Sequence, residues 1–296
     1  MSTQNRETAL SDGSGGLGAD IAEPASTVPT WNLDGSVAGI TAPEEQTAQM
    51  KSALPQTPDG WAFFLDLDGT LLDLASTPDA VQPAPGLFDA LRRLEDETGG
   101  ALAIVTGRAI EFVDALFTGH HFTVAGLHGA ALRVPGDDIQ PAERASAAYS
   151  SARDFAQAQA KMLPGVLFED KSQAFALHYR LAPLSAVAVA DVMKRALVLA
   201  GPAFMLRPGK SVVELCPAGH DKGSALRYLM TRPPFYGRKP LAAGDDLTDE
   251  AMFPAASALG GLGVRVGPLI DLPRSGASLG LPTPASFRDW IRRLTR

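Results

Sequence analysis

The rhythm of apolar and polar positions along this chain changes twice. The apolar run Trp61-Ala62-Phe63-Phe64-Leu65 passes into acids and glycine, the pattern of a strand buried on both faces that feeds a loop. Pro85 to Leu94 then places Leu87, Phe88, Leu91 and Leu94 at helical spacing behind Pro and Gly punctuation. Ala101 to Val105 predicts a second buried strand, Ala109 to Phe117 a second helix and Phe122 to Gly126 a third strand. Strands alternating with helices imply βαβ units and a parallel sheet covered on both faces.

The middle of the chain has a different order. Ala142 to Met162 predicts a helix, Val166 to Lys171 and Ala174 to Arg180 two strands, and Leu184 to Leu199 another helix. Strands follow near Phe204 to Leu206 and Val212 to Leu215. That order predicts a small sheet with two helices on one face. From Asp221 the first style resumes, with a helix through Met230 and strands at Leu241 to Ala243 and Val264 to Val266. The expected architecture is α/β: a Rossmann-like parallel-sheet core over residues 56–130 and 218–296, split by an α+β cap over 131–217. Residues 1–55 are rich in Gly, Ser, Thr, Ala, Asp and Glu with no sustained period, and are expected to form a mobile extension.

Composition narrows the function. With 296 residues, 45% hydrophobic and 20% charged, the chain can bury one large core or two modest ones. A net charge of −7 argues against nonspecific nucleic-acid binding and a basic membrane-surface role. It leaves an anionic substrate open, because acids can gather around a cation. The single cysteine, Cys216, excludes an intramolecular disulfide and points to a reducing compartment; at the end of a strand it reads as a buried structural thiol rather than a catalytic one. No apolar run approaches the roughly 20 residues that span a bilayer, and no basic flank precedes an apolar stretch at the N-terminus. A cytoplasmic protein without nucleic-acid or membrane partners is expected; oligomeric state is left open.

Chemistry concentrates at strand ends. In Asp66-Leu67-Asp68-Gly69-Thr70 the two acids are two residues apart, so both carboxylates can reach one site beyond the first strand. Such close acids repel unless a cation or a shared proton joins them. Thr106-Gly107-Arg108 follows the second strand, and a hydroxyl with backbone amides near a helix start suits phosphate oxygens. Lys222-Gly223 opens a helix, where an ammonium can neutralise the same anion. Gly244-Asp245-Asp246-Leu247-Thr248-Asp249-Glu250 ends another strand with a dense acid cluster. Magnesium takes a few carboxylates plus water and substrate phosphate, which this set supplies. In an open parallel sheet, sites lie outside the carboxyl ends of the strands.

These four segments, in this order, resemble the motifs of the haloacid-dehalogenase superfamily, and Asp68 resembles the second aspartate of its phosphatases. The resemblance implies Asp66 as nucleophile, Asp68 as acid and base, and Thr106, Gly107 and Lys222 as the phosphate grip. It implies Mg2+ held by Asp66, the Asp68 backbone carbonyl and Asp245, with Asp246 or Asp249 in support; sequence does not choose between those two. In the middle segment, Glu169-Asp170-Lys171, His178-Tyr179-Arg180, Arg207 to Lys210 and Glu214 are similar to the trehalose-6-phosphate phosphatase family, as is Gly126-Leu127-His128-Gly129. That likeness implies a small sugar phosphate as substrate, with Arg108, His128, Glu169, Lys171, Arg180 and Glu214 toward the sugar. It also implies the final step of trehalose biosynthesis. By the residues alone, Glu169 with Lys171 and His178 with Arg180 alternate along strands, so each pair can face one side; His128 reads either as a ligand or catalyst or as a loop histidine bonded to backbone. The rivals are another capped sugar phosphatase acting on sucrose, mannosylglycerate or hexose phosphates, and a non-catalytic sugar-phosphate sensor.

Overall fold

The computed structural model describes residues 43–75, 80–134, 146–171 and 173–295. The first core segment runs through α1 (Pro43–Ala53), β1 (Trp61–Leu65), α2 (Leu87–Glu97), β2 (Leu102–Val105), α3 (Ile110–Leu116), β3 (Thr123–Gly126) and β4 (Ala131–Arg133). The inserted segment holds α4 (Ala147–Ala160), β5 (Leu167–Asp170), β6 (Phe175–His178), α5 (Ala186–Ala200), β7 (Phe204–Gly209) and β8 (Val212–Pro217). The chain returns to the core with α6 (Lys222–Met230), β9 (Lys239–Gly244), α7 (Met252–Ala258), β10 (Leu262–Val266), β11 (Leu279–Leu281) and α8 (Pro284–Leu294).

The core sheet has the order β11-β10-β9-β1-β2-β3-β4, and its pairs are parallel except β3 with β4. Alternation along β1 sends its side chains to both faces. Phe63 packs in a cluster with Leu91 and Leu94 of α2, Val113 of α3 and Phe287 of α8, while Phe64 packs with Leu226 and Leu229 of α6 and Phe253 of α7. A fully apolar strand between two helical layers is what the run Trp61 to Leu65 requires. The inserted segment forms an antiparallel sheet, β5-β6-β8-β7. On one face Phe175, Leu177 and Leu215 meet Tyr149 and Ala156 of α4 and Val189 and Met193 of α5. The architecture is therefore the α/β core with an α+β insertion read from the periodicity.

Several details differ from the sequence reading. Residues 43–53, inside the stretch expected to be an extension, form α1, and Leu54 behind it is buried in the core; residues 1–42 lie outside the described residues. Ala131–Arg133, placed in the cap by sequence, pairs with β3 in the core sheet, and Arg133 is held by a two-point bond to Asp114 at 2.7 Å and 2.7 Å. Three residues are too few to show a period. The helix expected from Ala142 is described only from Ala147, where Ser146 caps it by accepting from Tyr149 N at 3.1 Å. The elements α7, β11 and α8 are not among those expected from the sequence. Among the described residues no helix is long and apolar enough to cross a membrane. Cys216 is buried at the core–cap junction, and burial pushes its thiol up to about 11, so it packs rather than reacts.

Candidate active site

The parallel pairing of β1 with β9 sets Leu65 opposite Ala243, and Asp66 N donates to Ala243 O at 3.0 Å. The next residues of both strands leave the sheet together. Asp66 and Asp245 thus emerge at the carboxyl edge between β1 and β9, where the strand order reverses direction. Gly69 turns the chain back with φ +86°, and a Cβ there would collide with the Asp245 carboxylate, so only glycine fits. Asp66, Asp245 and Asp249 each offer an oxygen within 4.8 Å of the others. Lys222 enters from the first turn of α6, with Nζ 2.5 Å from Asp66 Oδ1 and 2.6 Å from Asp249 Oδ1. That position follows from the helix start: Asp221 caps α6 by accepting from Ser224 N at 2.6 Å, and Ser224 returns the bond to Asp221 N.

Three acids and one lysine leave the cluster short of positive charge. Burial raises Asp66 well above the ordinary carboxylate range; Asp249 and Asp245 push it further, and Lys222 opposes them. Burial, then Asp249, brings Asp245 up to about 7. Burial alone would lower Lys222, but Asp249 and Asp66 outweigh it and hold the ammonium protonated. Asp245 Oδ1 is buried without a hydrogen-bond partner. A hard divalent cation coordinated by carboxylate oxygens answers both the repulsion and the unpaired oxygen, so the donor set fits Mg2+. Asp249 sits deepest: Oδ2 accepts from the amides of Asp245 at 3.0 Å and Asp246 at 2.9 Å. Asp246 instead caps its own short turn, accepting from Leu247 N at 2.7 Å.

The loop after β2 forms the second wall. Thr106 is buried, and its Oγ1 accepts from Arg108 N at 3.1 Å, which leaves the hydroxyl proton for another acceptor. Gly107 lies so close to the loop after β3 that a Cβ would sit 2.6 Å from His128 Nε2. His128 adopts φ +57° and donates its backbone N–H to Thr106 O at 2.9 Å; burial lowers its imidazole to about 4, so it is neutral near pH 7. Arg108 donates Nε and Nη2 to Asp68 Oδ2 and Oδ1, both at 2.8 Å.

The cap sheet closes over this edge with the face opposite its helices. Direct cross-strand partners share a face, so the pairs Glu169 with Ala176, Ala176 with Glu214, and Glu214 with Arg207 form one row across the sheet. Lys171, two residues on from Glu169, joins that face. Its Nζ lies 2.5 Å from Glu214 Oε2 and donates to Gly107 O of the core at 3.1 Å. Burial would raise Glu214, but Lys171 and then His128 hold it far below the glutamate range. Arg180 donates to Ala75 O at 2.9 Å. Between the lobes lies a cleft lined by both sets, and Glu214 Oε1, His128 Nδ1 and Arg207 Nη1 are buried there without partners.

The trehalose-phosphatase family model matches residues 64–268, which takes in all of these residues. The chain belongs to this family. A probable trehalose-phosphate phosphatase of Sinorhizobium fredii is 44% identical over 249 residues, covering 82% of this chain and 91% of that protein. The Escherichia coli trehalose-6-phosphate phosphatase is 37% identical over 221 residues, covering 74% and 83%. Among solved structures, the C-terminal domain of a C. albicans trehalose-6-phosphate phosphatase superposes with a TM-score of 0.69 at 21% identity, covering 86% of this chain and 97% of that one, a likeness of fold.

Within this trehalose-phosphatase chain, every site residue singled out from sequence lines the one cleft, Asp246 included, although its Oδ1 is spent on its own turn. Two partners were not assigned roles from sequence. Arg207 stands opposite Glu214, which the register of β7 against β8 decides. His178 lies 2.8 Å from Glu169 through Nε2 and Oε2, a pairing that requires β5 and β6 to be neighbours.

Proposed function

We propose that this protein hydrolyses trehalose 6-phosphate to trehalose and phosphate, the last step of trehalose biosynthesis, through an aspartyl-phosphate on Asp66. The observation that carries the reading is the convergence of Asp66, Thr106, Lys222 and Asp245 beneath a cap face that presents Glu169, Lys171, Arg180 and Glu214. A carboxylate of Asp66 attacks phosphorus in line, and the bond from phosphorus to the sugar oxygen breaks. Asp68 gives its proton to the departing oxygen, then takes one from the water that attacks the phosphoryl group and releases Asp66. Thr106 Oγ1, Gly107 N and Lys222 Nζ hold the phosphoryl oxygens throughout. Mg2+, when held by Asp66, Asp245 and the Asp68 carbonyl with Asp249 behind them, would neutralise the charge of those oxygens. The charged cap residues, with His128 from the core side, fit a polyol through charge-assisted hydrogen bonds. The buried, unreactive Cys216 accords with a reducing, cytoplasmic setting.

Phosphate release from trehalose 6-phosphate, compared with sucrose, mannosylglycerate and hexose phosphates, tests the substrate. A clear preference for the trehalose ester is expected; equal rates across the panel would remove the assignment. EDTA should abolish release and added Mg2+ restore it, while full rates after metal removal would discard the metal's role.

A further inference from the structure

Arg108 belongs to the core, one residue beyond the phosphate loop, yet its side chain spans both lobes. Two nitrogens grip the two oxygens of Asp68 at 2.8 Å and 2.8 Å, and Nη1 donates to Glu169 Oε1 on β5 of the cap at 3.2 Å. The guanidinium carbon lies 4.4 Å from the centre of the Phe112 ring, and the backbone is tied on both sides, N to Thr106 Oγ1 at 3.1 Å and O to Leu127 N at 3.0 Å. Glu169 is itself held by His178 and lies 3.9 Å from Lys171, which pairs with Glu214. Charges of alternating sign therefore run from Asp68 through Arg108, Glu169 and Lys171 to Glu214.

We propose that Arg108 is a positioning residue: it aims Asp68 at the leaving oxygen and makes that aim depend on the cap being docked. The inference rests on the role of Asp68 proposed above. A planar fork on both oxygens fixes the plane of a carboxylate, which a single contact does not. The third contact reaches Glu169, so withdrawal of the cap removes one of the restraints on the guanidinium. Asp68 is then aligned when substrate is enclosed and less so when the cleft stands open to water.

Kinetics of R108K and R108A on two esters separate this role from sugar binding. An alkoxide must be protonated as it leaves, whereas the nitrophenolate of p-nitrophenyl phosphate leaves without help. With trehalose 6-phosphate, kcat should fall by about 10²-fold or more, the scale of one acid–base group, while KM stays nearly constant. With the aryl ester, attack by Asp66 survives but hydrolysis of the aspartyl-phosphate lacks an aligned base. Rapid mixing should then show a burst of nitrophenolate followed by a slow steady rate. A raised KM for trehalose 6-phosphate with unchanged kcat and no burst would make Arg108 a sugar ligand and overturn the proposal. R108K retains the charge, and its melting curve guards against misfolding. The link to the cap is read in a cycle with E169Q: kcat losses should be far from additive, and additive losses would overturn the coupling. Wild-type protein inactive on both esters would overturn the phosphatase reading as well, an outcome distinct from either of these.

Discussion

Glu214 and Lys171 form a buried ion pair that also lines the cleft. Each is buried, and Lys171 is held above its ordinary value because Glu214 and Glu169 outweigh the effect of burial. Glu214→Gln strands the ammonium with Glu169 at 3.9 Å, and the cost should be about 3–5 kcal/mol. Because the folded protein holds Glu214 below its ordinary 4.5, the pair's contribution is fully present above that value and is lost as pH falls below it. The gap in melting temperature between wild type and E214Q should therefore hold from neutral pH to about 5 and narrow in stronger acid. A gap that instead widened in acid would reverse the assignment of charge. Asp66, Asp68, Thr106, Lys222 and Asp245 could be singled out from residue type and spacing. The choice of Asp249 over Asp246 as the buried support could not, since both lie on one short turn and only folded contacts separate them.

At the scale of elements, α6 carries Lys222 to Asp66 through its first turn. Asp221→Ala removes the N-cap and should cost about 1 kcal/mol. The larger effect should be on catalysis, because Lys222 is the first helical residue and its placement depends on that turn. A matched fall in melting temperature and kcat, both recovered by D221S, is expected; normal kcat with a lowered melting point would show that the lysine finds its place without the cap. The strands β1, β2, β3, β9 and β10 and the helices α2, α3 and α6 of the core were legible because buried strands and amphipathic helices write their periods into the sequence. The C-terminal helix α8 has its own signal in Thr283-Pro284-Ala285-Ser286, a capping box with proline in the first turn, which apolar periodicity alone passes over. β4 and β11 are too short to carry any period and exist through pairing with β3 and β10.

For the whole molecule, the contacts that tie cap to core at the cleft include Lys171 Nζ to Gly107 O at 3.1 Å, Arg108 to Glu169 at 3.2 Å, Arg180 to Ala75 O at 2.9 Å and His128 to Glu214 at 3.6 Å. Two of them end on the neighbouring residues Gly107 and Arg108 of the loop after β2, so filling the cleft should order both lobes together. Hydrogen exchange on the Asp66→Asn variant, with and without trehalose 6-phosphate, should slow at residues 106–108 and at β5 and β8 in step. Protection confined to one lobe would show that they respond separately.

What the sequence determined by itself was local and periodic: which segments bury two faces or one, where each strand ends in reactive side chains, and which chemistry those side chains share. Residue type and spacing suffice there because strand and helix periods, caps and carboxylate pairs act within a few residues. Tertiary structure decided which strand ends meet. The parallel register of β1 and β9 brings Asp66 beside Asp245, and the cross-strand row of the cap sets Arg207 against Glu214 and Glu169 against Arg108. Charges balance only among neighbours in space, and those neighbours can stand far apart along the chain, 156 positions for Lys222 and Asp66.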